Sequence, residues 1–368
     1  MLLLDTQRDV LLQPLQIVSG IVEKRHTLPI LSNVLISRQQ QQLSILASDL
    51  EIQIRVFLAV PQPGDDFSIT VSARKLLDIF RALNGNAAVS LESTDHQLQI
   101  RAQKSRFNLQ MLPAEDFPVT EISPDSGKHL QINQNVLKRL IGQVQYAMAQ
   151  QDIRYYLNGM LLVIDPQQVT VVATDGHRLC LAAETLQTGL EHQEIILPRK
   201  TVNELVKLLT DDEQPVDITF YPGQVRFVVG KVELVSKVID GKFPDYQRVI
   251  PTSHQNIMTV QRTLLQQALQ RASILSNEKF RGVRLVLSRN ELRILCNNNE
   301  QEEAQEELEV DYTGDALDIG FNVSYLLDVL NQASSETVRC HFSDANSSLL
   351  VTLPEDAHFR YVIMPMRI

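Results

Sequence analysis

Cysteine, glycine and proline are all sparse in this chain, and each shortage removes a class of protein. The three cysteines, Cys180, Cys296 and Cys340, are far apart, odd in number and without CxxC spacing. That excludes a disulfide framework and a paired-cysteine zinc site, and a reducing cytosol is the expected setting. With 14 glycines, 15 prolines and 21% charged residues among 368, the composition argues against disorder. No apolar run approaches the length needed to span a bilayer. The start, Met1 to Val10, has only a short apolar run before charge appears, so a signal peptide is not expected. A cytoplasmic protein without a membrane partner follows as the expectation.

Catalytic motifs are missing as well. There is no GxxxxGK[ST] loop, no GxGxxG and no HExxH. Asp175, His177 and scattered serines could be read as a hydrolase set, but there is no GxSxG nucleophile motif, and Asp175-Gly176 reads as a turn between strands. No catalytic residue, metal or cofactor is expected, and no use of ATP. The net charge of -10 also sets a limit. Tight sequence-independent nucleic-acid binding draws on counterion release by cations, so bulk charge would not grip DNA strongly here.

What is present is repetition. At 368 residues and 44% hydrophobic content, the chain suits two or three cores. Three segments share a helical register: Leu11, Leu15 and Val18; Leu137, Leu140, Ile141 and Val144; Leu265, Ala268, Leu269 and Ala272. The last two show the i, i+3, i+4, i+7 stripe of a helix on a core. In the first, Pro14 predicts a helix that starts there or is kinked. The segments recur at about 126 to 128 residues, far beyond a solenoid period. A second helical set recurs likewise: Ala73, Leu76, Leu77 and Phe80; Val202, Leu205, Val206 and Leu209; Val323, Leu326, Leu327 and Leu330. Alternating runs, such as Leu98, Ile100, Ala102 and Val225, Phe227, Val229, read as strands. Each copy therefore reads helix, strands, helix, strands: an α+β unit with antiparallel sheets. Ile122 to Lys128 reads as one link and Pro251 to Gln255 as another, with Phe243 to Ile250 free to pack with either neighbour. The expected domains are 1–126, 129–247 and 248–368. Few, large, similar units of this kind often build rings.

Several segments resemble the bacterial β sliding clamp family, the processivity subunits of DNA polymerase III. They are Arg154–Leu161, Ala173–Leu179, Phe243–Val249, Ser276–Leu285, Gly320–Leu330 and Tyr361–Ile368, with Thr27–Asn33 and Ser105–Pro118 extending the match into the first copy. The resemblance covers essentially the whole chain. It implies three tandem clamp domains, each of two helices plus antiparallel sheets, and a head-to-tail homodimer forming a six-domain ring with helices lining the hole. Twelve helices of about 10 Å diameter leave a hole of about 28 Å, which passes a B-form duplex loosely.

Cations on the predicted helices are Arg74, Lys75, Arg81, Lys138, Arg139, Arg199, Lys200, Lys207, Arg262 and Arg271. They could favour phosphate contact, although ordinary solvated helix faces carry the same residues. By resemblance, Arg25, Gln151 and Tyr155 touch DNA, and Arg74, Arg199 and Lys200 are the further DNA-contact candidates. Such binding would be weak, salt-sensitive and blind to sequence.

The chain end, Tyr361 to Ile368, is apolar and carries two methionines, whereas chain ends are usually polar and loose. A buried last strand would explain part of it. The resemblance implies a peptide groove between copies two and three. Its expected residues from copy two are Arg154, Leu157, Thr174, Gly176, His177, Arg178 and Leu179. Pro244, Arg248, Val249, Asn322 and Tyr325 follow, then Asn346 and Ser348, and at the chain end Val362, Met364, Pro365, Met366 and Arg367. Asn346 departs from the apolar residue expected in its subsite. Short linear motifs on the replicative polymerase α subunit, the clamp-loader δ subunit, and repair and translesion polymerases would dock there.

The run Glu300–Glu309 holds six glutamates, while copy one carries Arg101, Lys104 and Arg106 beside Phe107 and Leu109. The resemblance sets Lys104, Arg106, Phe107 and Leu109 opposite Ile274, Leu275, Glu302, Glu303, Glu306 and Glu307 of a second subunit. An apolar centre with opposite charges around it makes a seam. The rival reading is a non-catalytic protein scaffold that never encircles DNA.

Overall fold

The computed structural model describes residues 1–23, 28–60, 64–94, 96–122, 127–252 and 254–367. Among these are six α-helices: α1 (Arg8–Val18), α2 (Ala73–Ala82), α3 (Gln134–Val144), α4 (Arg199–Leu208), α5 (Arg262–Ala272) and α6 (Val323–Gln332). The apolar stripes predicted for the first helices are buried in all three copies. In the second helices most predicted positions are buried, but Val206 and Leu327 are only partly covered, and Val329 is buried instead.

Pro14 neither starts α1 nor ends it, for the helix runs from Arg8 through Pro14 to Val18. Proline at that place removes one intrahelical bond to the carbonyl of Val10. Val10 is exposed, so water can take that carbonyl, while the Pro14 ring packs inward among Leu11, Leu15 and Val18.

In each pair of helices a side chain that opens the first is tied to the end of the second. Arg8 Nε donates to the Phe80 carbonyl at 2.8 Å and Arg262 Nε to the Ser335 carbonyl at 3.1 Å. Both guanidinium groups open a first helix and satisfy carbonyls at or beyond the end of the second, where the helix dipole also favours a cation. In the middle copy Gln134 holds the same place, and its Oε1 accepts from Thr210 N at 3.0 Å. Arg262 thus serves helix pairing in its own copy.

Among the described residues every strand pairing is antiparallel, in sheets of twelve, nine and four strands. The twelve-stranded sheet continues from Ile52–Ala59 of the first copy into Val232–Lys237 of the second, with Ile54 facing Leu234. The nine-stranded sheet continues from Arg178–Thr185 into Asp356–Ile363 of the third copy, with Cys180 facing Tyr361. These shared ladders explain why the chain divides into two compact units rather than three. One holds Met1–Asn135 and Asn203–Val238; the other holds Val136–Val202 and Ile239–Ile368. The segment Phe243–Ile250 belongs to the second unit, where Phe243, Tyr246 and Ile250 pack with Leu161, Val163 and Val172.

Candidate partner-binding groove

The Asp175-Gly176-His177 turn joins the strands Gln168–Thr174 and Arg178–Thr185. Asp175 Oδ1 accepts from the backbone N–H of His177 at 2.9 Å and of Arg178 at 3.0 Å. Thr174 Oγ1 accepts from Gly176 N at 3.1 Å and donates to the Arg178 carbonyl at 2.6 Å. Gly176 has a φ of +87°, and a Cβ there would lie 2.8 Å from Arg154 Nη1. Glycine suits the left-handed backbone here, and a larger residue would also make the Arg154 guanidinium shift. Arg154 forks onto Asp152 at 3.0 and 2.9 Å and donates to the Asp175 carbonyl at 3.2 Å. Those bonds from Arg154 hold the Asp152 carboxyl down at about 2.

Arg178 is the most heavily bonded side chain of the region, with 9% of it exposed. It pairs with Asp175 at 3.1 Å and with Asp328 of α6, and donates to the Tyr146 carbonyl at 2.6 Å. Its guanidinium carbon lies 4.4 Å from the centre of the Tyr325 ring. Burial disfavours its charged form, but Tyr361, Asp328 and Asp175 outweigh burial and raise its pKa. Arg178 therefore joins the second copy to α6, with little of it left to meet a partner.

The last strand, Asp356–Ile363, lies against Arg178–Thr185, and Met364 N continues that ladder by donating to the His177 carbonyl at 2.9 Å. Met366 N donates to the Gly320 carbonyl at 2.9 Å. The C-terminal segment is thus pinned by backbone bonds, which leaves its side chains available. Leu179, Val362, Leu350 and Phe243 form one buried apolar cluster. Leu157 and Thr174 are also buried, so these residues make floor rather than rim. Exposed around it are Arg154, His177, Pro244, Arg248, Val249, Met364 and Arg367, with Pro365, Met366, Asn322, Tyr325 and Ser348 half-covered. Asn346 is exposed in a polar turn, its N–H bonded to Asp344 Oδ1 at 2.8 Å. This is an apolar floor with a mixed rim, suited to an extended peptide with apolar anchors.

The other predicted residues are dispersed. Gln151 is exposed at a φ of +56°, and the Tyr155 ring is exposed and stacks edge-on against Tyr156 at 5.7 Å. Arg74 is exposed and 3.8 Å from Asp78. Arg199 is half-buried and donates to the Met148 carbonyl at 2.8 Å, and Lys200 is half-buried too. Arg25 lies outside the described residues. Lys104 is exposed in the turn before the strand Ser105–Leu112, on which Arg106 is exposed and Phe107 and Leu109 are half-covered. Ile274 is 77% exposed and Leu275 half-covered, beyond the end of α5. Glu302, Glu303 and Glu307 are exposed. Glu306 is not a spare charge: Arg271 forks onto it at 2.8 and 2.5 Å. Sequence reasoning missed Tyr146, Asp328 and Tyr361 as the groups that hold Arg178, because they lie far from it in the chain, and it did not pair Asp152 with Arg154 although only one residue separates them. Among the described residues no group of His, Cys, Asp and Glu could hold a metal ion, and no helix is long and apolar enough to cross a membrane.

Known proteins match this architecture along its whole length. The N-terminal, central and C-terminal domains of the DNA polymerase III beta subunit match residues 2–121, 131–245 and 247–367. A beta sliding clamp of Pseudomonas putida is 47% identical over 363 residues, covering 98% of this chain and 99% of that protein. The beta sliding clamp of Escherichia coli K12 is 43% identical over 362 residues, with the same coverage. A crystal structure of the Pseudomonas aeruginosa sliding clamp bound to griselimycin superposes with a TM-score of 0.96 at 45% identity, covering all of both chains. The chain belongs to the DNA polymerase III beta subunit family, the beta sliding clamps.

Proposed function

We propose that two copies of this chain close head to tail into a six-domain ring around duplex DNA and tether the replicative polymerase to it without catalysing a reaction. The carrying observation is a pair of open strand edges. Each junction inside the chain joins a strand that ends one copy's middle hairpin to the last strand of the next copy. Among the described residues, Glu303–Glu309 and the Ser105–Gln110 part of Ser105–Leu112 each bond one neighbour only. They are the same two kinds of strand, left unjoined at opposite ends of the repeat. Unpaired edges invite another strand, and a second copy supplies the missing type.

The repeat also sets the register. Ala304 faces Cys296 as Ile54 faces Ala47, and Phe107 faces Ile100 as Leu234 faces Phe227. Since Ile54 faces Leu234, Phe107 should face Ala304 of the partner subunit. Lys104 then stands opposite Glu307 of the partner subunit, and Arg106 lies diagonal to Glu303 and Glu307 of the partner subunit. Opposite charges at such places add modestly to a sheet. Phe107 and Leu109 meeting the exposed Ile274 and the half-covered Leu275 would supply the apolar centre.

We assign the three clamp domains to residues 1–126, 129–247 and 248–368. Contacts from Arg25, Arg74, Gln151, Tyr155, Arg199 and Lys200 to phosphates would be weak and salt-sensitive, leaving retention to topology. The groove would take short motifs of the polymerase α subunit, the clamp-loader δ subunit and other polymerases. A cytoplasmic, nucleoid-associated location follows from that role. The test is retention: the loaded protein should stay on nicked circular DNA and leave when that DNA is cut. Equal retention on both forms would overturn encirclement.

A further inference from the structure

The tripeptide Leu-Asn-Gly occurs twice in the chain, as Leu83-Asn84-Gly85 and as Leu157-Asn158-Gly159. Asparagine followed by glycine is the dipeptide most open to attack on its own side chain. The backbone nitrogen of the glycine can reach the asparagine side-chain carbon, because no Cβ on the glycine hinders the turn it must make. Both copies share the same local chemistry, so the fold alone separates them.

Asn158 is locked. Its Oδ1 accepts from Asp152 N at 2.9 Å, and its Nδ2 donates to the Asp152 carbonyl at 2.8 Å. Gly159 is buried at the head of the strand Gly159–Asp165, opposite Pro198, and a Cβ on it would lie 2.4 Å from the Leu197 carbonyl oxygen. Neither partner of the reaction can turn towards the other.

Asn84 is open. It lies in the exposed turn between α2 and the strand Ala88–Thr94. Among the described residues its side chain accepts and donates no hydrogen bond, and the Gly85 N–H donates none. Nothing lies within 4 Å of the place a Gly85 Cβ would take. The attacked carbon and the attacking nitrogen are thus both unrestrained. The same turn also holds the start of α1, because the Ala87 carbonyl accepts from Arg8 N at 2.8 Å and Asn86 N donates to Asp9 Oδ2 at 3.2 Å.

We propose that Asn84 is a site of spontaneous deamidation, and that its conversion loosens the start of α1. Gly85 N bonds to Asn84 Cγ, and the bond from Cγ to Nδ2 breaks. The Gly85 proton leaves with Nδ2 as ammonia, which closes a cyclic imide. Water then opens the imide at either carbonyl and leaves aspartate or isoaspartate; water is the only co-reactant. The new carboxylate stands past the C-terminal end of α2, where the helix dipole favours a cation. Isoaspartate also adds a methylene to the backbone, which displaces Asn86 and Ala87 from Asp9 and Arg8.

The test ages the full chain in mildly alkaline buffer at physiological temperature and maps its peptides by mass spectrometry. Asn84 should convert roughly tenfold faster than Asn158 or more, since Asn158 reacts only after local opening. In guanidinium chloride the identical tripeptides should convert at similar rates. Equal rates in the folded chain, or a ratio that persists in denaturant, overturn the site. Hydrogen exchange at the Arg8 amide should rise several-fold with the converted fraction and stay unchanged in an aged Asn84→Gln chain. Exchange that does not rise, or that rises equally in Asn84→Gln, overturns the loosening.

Discussion

Met364 N donates to the His177 carbonyl at 2.9 Å, so the apolar chain end is fastened to the turn that carries Asp175 and Gly176. Deleting Met364 to Ile368 removes rim side chains and this backbone bond together. Binding of a peptide with apolar anchors should fall more than tenfold in fluorescence anisotropy, while sedimentation still reports the dimer. Unchanged affinity would refute the groove.

Arg178 should matter to stability more than to binding. Its loss strands Asp175 and Asp328 and empties a place between Tyr146 and Tyr325. Breaking a buried charge cluster from one side costs about 3 kcal/mol. Arg178→Met should therefore lower the urea midpoint clearly, and a midpoint equal to that of the parent would contradict this role.

Asp152 supplies a pH signature. Its pKa is lowered from 3.8 to about 2, first by the side-chain bonds from Arg154. A depressed carboxyl stabilises the turn above its ordinary pKa, and that contribution is lost as pH falls from about 4 towards 2. Its carboxyl carbon should titrate near pH 2 by NMR, and in Arg154→Gln the midpoint should move up. A midpoint that stays put would show that Arg154 is not the cause.

The seam register makes a covalent prediction. The double variant Phe107→Cys with Ala304→Cys should form a disulfide-linked dimer under mild oxidation, since directly opposed strand residues have Cβ atoms about 5 Å apart. Moving the second cysteine to position 305 should reduce the yield several-fold, because that side chain points to the other face of the sheet. Equal yields would rule out the register. The native Cys180, Cys296 and Cys340 are buried and should stay out of the reaction.

Charge reversal tests the same seam without chemistry. Lys104→Glu with Arg106→Glu should weaken the dimer at least tenfold, with a larger effect at low salt. Adding Glu303→Lys and Glu307→Lys should restore part of it. Sedimentation equilibrium measures both, and an unaltered mass across the series would count against the pairing.

The copies, their helices and most of their buried faces were legible in the chain's own pattern of residues. Period and composition are local properties, so Leu137, Leu140, Ile141 and Val144 could be assigned to one helix face without knowing what lay opposite. The terminal Tyr361–Ile368 segment and the DG turn at Asp175-Gly176 were legible for the same reason. Of the two outcomes expected of Pro14, a helix start there is excluded, because a proline inside a helix is tolerated where the orphaned carbonyl can reach water, and only packing sets which way that carbonyl faces. Tertiary structure alone decided that Arg178 is spent on Asp328, that Glu306 is claimed by Arg271, and that the second copy is shared between two compact units. Those facts rest on ladders and ion pairs between residues far apart in the chain. Such pairings depend on sheet register, and register comes from the alignment of whole strands rather than from any one stretch of sequence.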